Sequence, residues 1–319
     1  MGLFGQLFHH KHAGDESLLL PAIERAVTTV EPLLRQAGGY PGHYRKPVTA
    51  ALEYVHQLAA ELPDPIAVDR ETYASDAYVH ALFPDINAIS ESICASLAVQ
   101  NYLRDFPASE EFYGLMGMRR FEKTVAGMEV VGQVVQHDVL QKVVYFSGHT
   151  IDHTAPSEQQ AREQIALSMF DSLANKVKTR VEQRKKTKQE LLLQKDMLVA
   201  RLHNASDAEK PALEEKLADL IRELQTTVSS LEPGKFVEDF EAVMLRPQDH
   251  LYLKQKQITL DSMGIQRDPD GAGSAREILF NDLIGYDRRD WTVTMVRCGN
   301  LQRESFASKL DKAYRKLMI

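Results

Sequence analysis

His149, Asp152 and His153 lie within five residues, in the run Gly148-His149-Thr150-Ile151-Asp152-His153. Imidazole and carboxylate are the ligand types of zinc and related divalent ions, and a strand end is a reasonable place to present them. Ligands this close in sequence converge on one ion only across a defined turn, and no second cluster completes the shell. The run therefore reads first as a polar strand exit and only second as a metal site. Glu53-x-x-His56 has the spacing used in di-iron bundles, but no second copy accompanies it. His56 falls on an apolar helical face and is expected to be a core histidine.

Three further sets could bind without catalysis. Lys176, Lys178, Arg180, Arg184, Lys185, Lys186 and Lys188 form a basic stretch interrupted by one acid, Glu182. Such a stretch attracts an acidic protein, nucleic acid or anionic lipid, unless it is a solvated face or docks on acids of its own chain. Tyr40, His43, Arg45 and Lys46 follow Gly38-Gly39 and precede Pro47, where a glycine-rich loop with two cations could cradle an anion. Leu3, Phe4, Leu7 and Phe8 fall on one face of a short helix and lead into His9-His10-Lys11-His12. An apolar wedge beside a basic cluster suits a membrane interface or a docking partner. The opening Met1-Gly2-Leu3-Phe4 resembles the starts of some bacterial envelope-stress proteins that dock on membranes through a terminal helix.

Other chemistry is missing from the pattern. There is no Gly-x-Ser-x-Gly elbow, no P-loop order and no Rossmann glycine signature after a strand. Asp268-Pro269-Asp270-Gly271 fails calcium-loop spacing, because Ala272 and Leu279 occupy ligand positions. Cys94 and Cys298 sit in apolar stretches and read as reduced, buried thiols. No catalytic residue and no cofactor is expected.

The elements that must position these residues follow from periodicity. Leu19, Ile23, Val27, Val30 and Leu34 recur at helical spacing up to Gly38-Gly39, and Pro47 is expected to open a second helix. Helical patterns continue around residues 73–83 and 86–103, which predicts a helical bundle over residues 15–125. Val130–Val135 and Val139–Phe146 are β-branched and aromatic runs around His137-Asp138, the signature of a β-hairpin within 126–156. From Ser157 to about His203 nothing breaks a helix on the order of 70 Å long. A second helix over about 208–231 carries Leu213, Leu217, Leu220, Leu224, Thr227 and Leu231 at alternating four-three spacing. The two are expected to fold back as an antiparallel coiled-coil arm over 157–232, with residue i opposite roughly 411−i by equal rise. Strands return at 251–260, 278–284 and 291–296 within a β domain over 233–319. An amphipathic helix bearing Phe306, Leu310, Tyr314 and Leu317 closes the chain. The order of strands, turn, strands and helix over about 250–319 resembles a pleckstrin-homology-like module.

The fold expected is thus mixed α+β and mostly helical. A helical bundle is followed by a small antiparallel β domain, with the coiled-coil hairpin inserted and residues 1–14 as a separate apolar and basic segment. The hairpin at 128–148 is expected to share one sheet with 250–298, because two strands alone are marginal.

Composition sets the outer limits. The 319 residues are 44% hydrophobic and carry a net charge of −7. That composition can support a core, so disorder is disfavoured, and two cysteines cannot staple a secreted scaffold. Residues 1–125 hold 16 acids against 10 bases, which argues against nucleic-acid binding by that region. No run reaches the roughly 18 apolar residues of a membrane-spanning helix, and Met1–His12 lacks the pattern of a secretory signal. These features predict a cytoplasmic, non-catalytic scaffold or adaptor, able to sit at the inner face of a membrane. It would act through a protein partner or self-association along 157–232, with an anionic membrane surface as a second contact. An enzyme of unrecognised family using His149, Asp152 and His153 is the alternative, and a nucleic-acid-associated regulator is a third.

Overall fold

The computed structural model describes residues 16–131, 134–267, 275–287 and 290–299. The fold is mixed α+β, and the chain divides into two compact units assembled from separated stretches. The wedge residues Leu3, Phe4, Leu7 and Phe8 and the expected closing helix fall outside the described residues.

The first unit takes residues up to 60, 165–252 and 284–287 and is helical. It contains α1 (Glu16–Val30), α2 (Gly42–Ala60), most of α7 (Glu158–His203), α8 (Lys210–Ser229) and α9 (Pro233–Met244). Helix α1 ends at Val30, earlier than its apolar periodicity suggests. Glu31 precedes Pro32, and the proline ring disfavours helical backbone at the residue before it. Leu34 is still fully buried, because a 3-10 turn at Pro32–Gln36 carries it inward. Helix α2 begins at Gly42, not at Pro47, so His43, Arg45 and Lys46 lie in helix instead of the expected loop. Pro47 is the sixth residue of that helix and has no N–H, so the bond to the His43 carbonyl is missing there. Ile23, Val27, Tyr44, Val55, Phe170, Phe236 and Phe240 form the centre of this core. The Tyr44 ring meets Phe240 edge-on at 5.1 Å, and its hydroxyl donates to the Leu34 carbonyl at 2.9 Å. Desolvation pushes that phenol up to about 12.

The second unit takes residues 61–164, 253–283 and 290–299. Four short helices come first: α3 (Arg70–Ser75), α4 (Ala77–Leu82), α5 (Ile86–Ala95) and α6 (Leu97–Asp105). Asp69, Asp76, Asp85 and Ser96 cap them, each side chain accepting a free backbone N–H of the first turn. Residues 112–125, expected to be helical, are strand. β2 (Phe112–Val131) and β3 (Val134–Ala155) form a long antiparallel ribbon. The hairpin connection therefore falls between Val131 and Val134, and His137-Asp138 lies inside β3. The turn-like pair has a physical origin: the register slips between Gly127 and Glu129, and Asp138 takes a φ of 60°. That is a β-bulge, which uses the same residue types as a turn.

The sheet order is β3-β2-β6-β5-β4, with β4 at Tyr252–Leu260, β5 at Arg276–Ile284 and β6 at Trp291–Cys298. The short β1 (Ile66–Ala67) pairs parallel to β6. The two β regions do share one sheet. The main junction is Phe112–Met118 against Thr292–Cys298, and within the expected 128–148 Val143 forms a single antiparallel bridge to Ile265, with the Val144 N–H donating to Gly264 O and the Gln266 N–H to Lys142 O. Helices cover the β3 edge: the Ser96 hydroxyl donates to Ile151 O at 2.6 Å, and the Thr154 hydroxyl donates to Ala98 O at 3.1 Å. Met116, Met118, Phe146, Ile151 and Phe280 pack beneath with Val79, Leu82 and Val99. Among the described residues no helix is long and apolar enough to cross a membrane.

Candidate functional site

Helix α7 runs for 46 residues, about 69 Å at 1.5 Å per residue. The Ser157 side chain accepts the Gln160 N–H at its start. Its first half buries Ile165, Met169, Phe170, Leu173, Val177 and Val181 in a continuous stripe. Beyond Val181 the pattern thins to one face. Leu191 is buried, while Arg184, Lys188, Lys195, Leu198 and Leu202 are half-buried at three-four spacing. On α8, Leu213 and Leu220 are buried, and Leu217, Leu224 and Thr227 are half-buried. Those are the positions picked out by the four-three spacing. Arg184 Nη1 donates to the Ser230 carbonyl at 3.2 Å, so the end of α8 returns to the middle of α7.

Several large apolar side chains on these helices face solvent. Leu193 is 66% exposed and Met197 63%, with Val199, Ile221 and Val228 also exposed. They lie outside the half-buried stripes, at one-turn spacing for Leu193 and Met197. Leu193 and Met197 share one face of α7, whereas Val199 stands on another; lone exposed apolar residues are ordinary, and a pair on one face is a candidate contact.

The basic stretch is largely matched within the first unit. Arg184 Nη2 donates to Asp239 Oδ1 at 3.0 Å, and Nη1 lies 2.6 Å from Oδ2, a close charge contact. Lys185 pairs with Glu31, Lys178 with Glu182, and Lys186 with Glu190. Asp239 comes from α9 and Glu31 from the residue that follows α1, both far from their partners in sequence. Among the described residues, Lys176, Arg180 and Lys188 keep no acidic partner. His250, which the sequence did not single out, follows the 3-10 turn Pro247–Asp249. Burial and the charges of Arg180 and Lys176 hold its pKa below the ordinary imidazole range. Lys176 is held down by burial and by Arg180 one turn away.

The remaining candidates are placed as follows. The Tyr40 hydroxyl donates to Glu24, and His43 Nε2 lies 3.0 Å from Glu241 Oε1. Carboxylates of the chain thus engage two members of the expected anion cradle. His149 Nε2 sits 2.8 Å from the Leu82 carbonyl, with its ring stacked on Phe83 at 4.8 Å. The strand is irregular on both sides: Gly148 has a φ of 66° and His153 a φ of 56°, so regular alternation fails between them. Among the described residues no group of three His, Cys, Asp or Glu is placed to hold a metal ion. His149, Asp152 and His153 therefore do not form a metal centre. Cys298 is fully buried, and desolvation pushes its thiol up to about 12, which makes it inert.

No family model matches the chain, and neither the curated proteins nor the solved structures provide a significant match.

Proposed function

We propose that the protein is a non-catalytic scaffold or adaptor in which α7 and α8 form an antiparallel coiled-coil arm that pairs with the arm of a second copy. The exposed pair Leu193 and Met197, one turn apart on one face of α7, carries this reading. Burying it removes apolar surface at about 25 cal/mol per Å². Charge supports a self-complementary partner. On α7, Lys188 has no acidic partner among the described residues and Lys178 and Lys186 hold only exposed i,i+4 pairs that contribute little, while the acids Asp207, Glu209, Glu214, Glu215 and Asp219 cluster toward the α7–α8 connection. Two arms laid antiparallel set the basic part of each beside the acidic end of the other.

Light scattering on the full chain tests this. The wild type is expected at twice its 36.0 kDa mass. Leu193→Glu with Met197→Glu should give monomers with unchanged helicity, and added salt should weaken the dimer. A wild type that stays monomeric at every accessible concentration rejects the reading.

One observation in the second unit favours a second reading, association with single-stranded nucleic acid. The Phe121 and Tyr145 rings stack at 5.3 Å across β2 and β3, and Arg119 lies 5.1 Å from the Phe121 centroid. Tyr145 is 45% exposed and Phe121 half-buried, and the free face of such a ring beside a cation can stack a base. Retention of an oligonucleotide should fall with salt and with Tyr145→Ala; retention unaffected by both rejects it.

A further inference from the structure

We infer that the outer edge of β2 beyond Met118 pairs antiparallel with the same edge of a second copy, Ala126 standing opposite Ala126. β6 accompanies β2 only from Phe112 to Met118, while β3 follows it on the other side to Val131. Among the described residues no strand pairs with the outer side of β2 from Arg119 to Val131. That edge is also regular, and β3 is not. Each register shift of the ribbon gives the extra residue to β3: Tyr113–Leu115 faces Asp152–Ala155, Gly117–Arg119 faces Ser147–Thr150, and Gly127–Glu129 faces Gln136–Val139. The positive-φ residues of β3, Asp138, Gly148 and His153, fall one in each interval. Bulges twist an edge away from partners, so β3 is protected and β2 is not. Opposite the distal bulge, the buried Gln141 donates Nε2 to Met128 O at 3.0 Å, and a Cβ at Gly127 would lie 2.1 Å from its Oε1. The lost ladder bond is thus replaced from within the ribbon. Two strands alone are marginal, and a second ribbon makes four.

The residues along the edge select a second copy. With Ala126 on the two-fold axis, residue i faces 252−i. Lys123 and Glu129 are the charged residues of 123–131 and lie three positions either side of Ala126. Each copy's Lys123 position therefore faces the other's Glu129 position, and the match occurs twice. Glu122, next to Lys123, is taken by Arg120, Lys142 and Lys256, and among the described residues Lys123 keeps no acidic partner. Thr124 faces Met128, and Val125 faces Gly127. Met128 is 64% exposed, and pairing brings Ala126 of the second copy to its diagonal. The edge belongs to the second unit, so this contact does not rest on the pairing of the α7–α8 arms.

Disulfide trapping in the full chain tests the register. Cys94 is replaced by Ser, and Cys298 stays because it is buried. Ala126 and Thr124 are both exposed. Opposite residues of an antiparallel pair have Cα atoms about 4.5–5.5 Å apart, within reach of a disulfide, whereas two Thr124 lie about 13 Å apart along the strands. Under mild oxidation Ala126→Cys is expected to cross-link two copies about tenfold faster than Thr124→Cys. Lys123→Glu should slow the Ala126→Cys cross-link about five- to tenfold, and adding Glu129→Lys should restore it. The same results are expected with Leu193→Glu and Met197→Glu present, which separates failure of this contact from failure of the arm pairing. Equal rates at 124 and 126, no disulfide between copies, or a charge reversal that the double exchange does not rescue overturns the inference.

Discussion

Arg184 and Asp239 meet at 2.6 Å although they lie 55 residues apart, and Asp239 is only 13% exposed. The pair joins α7 to α9 just where the Arg184 guanidinium also caps the Ser230 carbonyl. One side chain thus satisfies the end of α8 and the carboxylate of the next helix. Arg184→Ala strips both partners and leaves a nearly buried carboxylate alone. It is expected to cost about 1–3 kcal/mol in a urea titration. Changing Asp239 to Asn in that background should recover part of the loss, since no buried charge then remains.

Glu122 in the second unit accepts from Lys142 and Lys256, and those bonds hold its carboxyl down at about 2. A carboxylate whose pKa falls on folding stabilises the fold above its unfolded value, 4.5 here, and that stability disappears as pH falls toward 2. Both lysines are largely exposed, so screening limits the gain. Glu122→Gln should cost about 1 kcal/mol near neutrality. Its unfolding curve should converge on that of the wild type near pH 2.

His149 and His153 are both held below the ordinary histidine range by burial, opposed at His153 by Asp152 and at His149 by the Leu82 carbonyl. The fold therefore keeps them neutral while the unfolded chain takes up protons from about pH 6.5 downward. Acidification through that value should lower the unfolding midpoint. A His149→Gln variant should show a shallower decline between about pH 7 and pH 5. An unchanged slope would mean that the ring is protonated equally in both states.

Gly285 has a φ of 85°, a left-handed backbone that side chains rarely adopt, and a Cβ there strikes the His250 carbonyl. The obstacle is backbone and cannot swing aside. Gly285→Ala should cost more than about 2 kcal/mol.

The sequence alone determined the elements with a strong period. The long α7, the apolar positions Leu213, Leu217, Leu220 and Leu224 of α8 and the three last strands all lie close to their expected places. Local spacing suffices there, because one face of each element is apolar and the other is not. Where two signals overlap, local spacing fails. Phe112–Val125 is apolar on both faces near its start, so it does not alternate, and its strand character comes from pairing with β3 and β6. His137-Asp138 looked like a turn because a bulge needs the same backbone freedom. The charge balance of the basic stretch was even less legible. Glu31 and Asp239 are 154 and 55 residues from their partners, and only packing brings them to Lys185 and Arg184. Among the described residues, the same packing leaves Lys176 and Arg180 without an acidic partner. Electrostatic pairing depends on distances in space, and those distances are decided only when the helices pack.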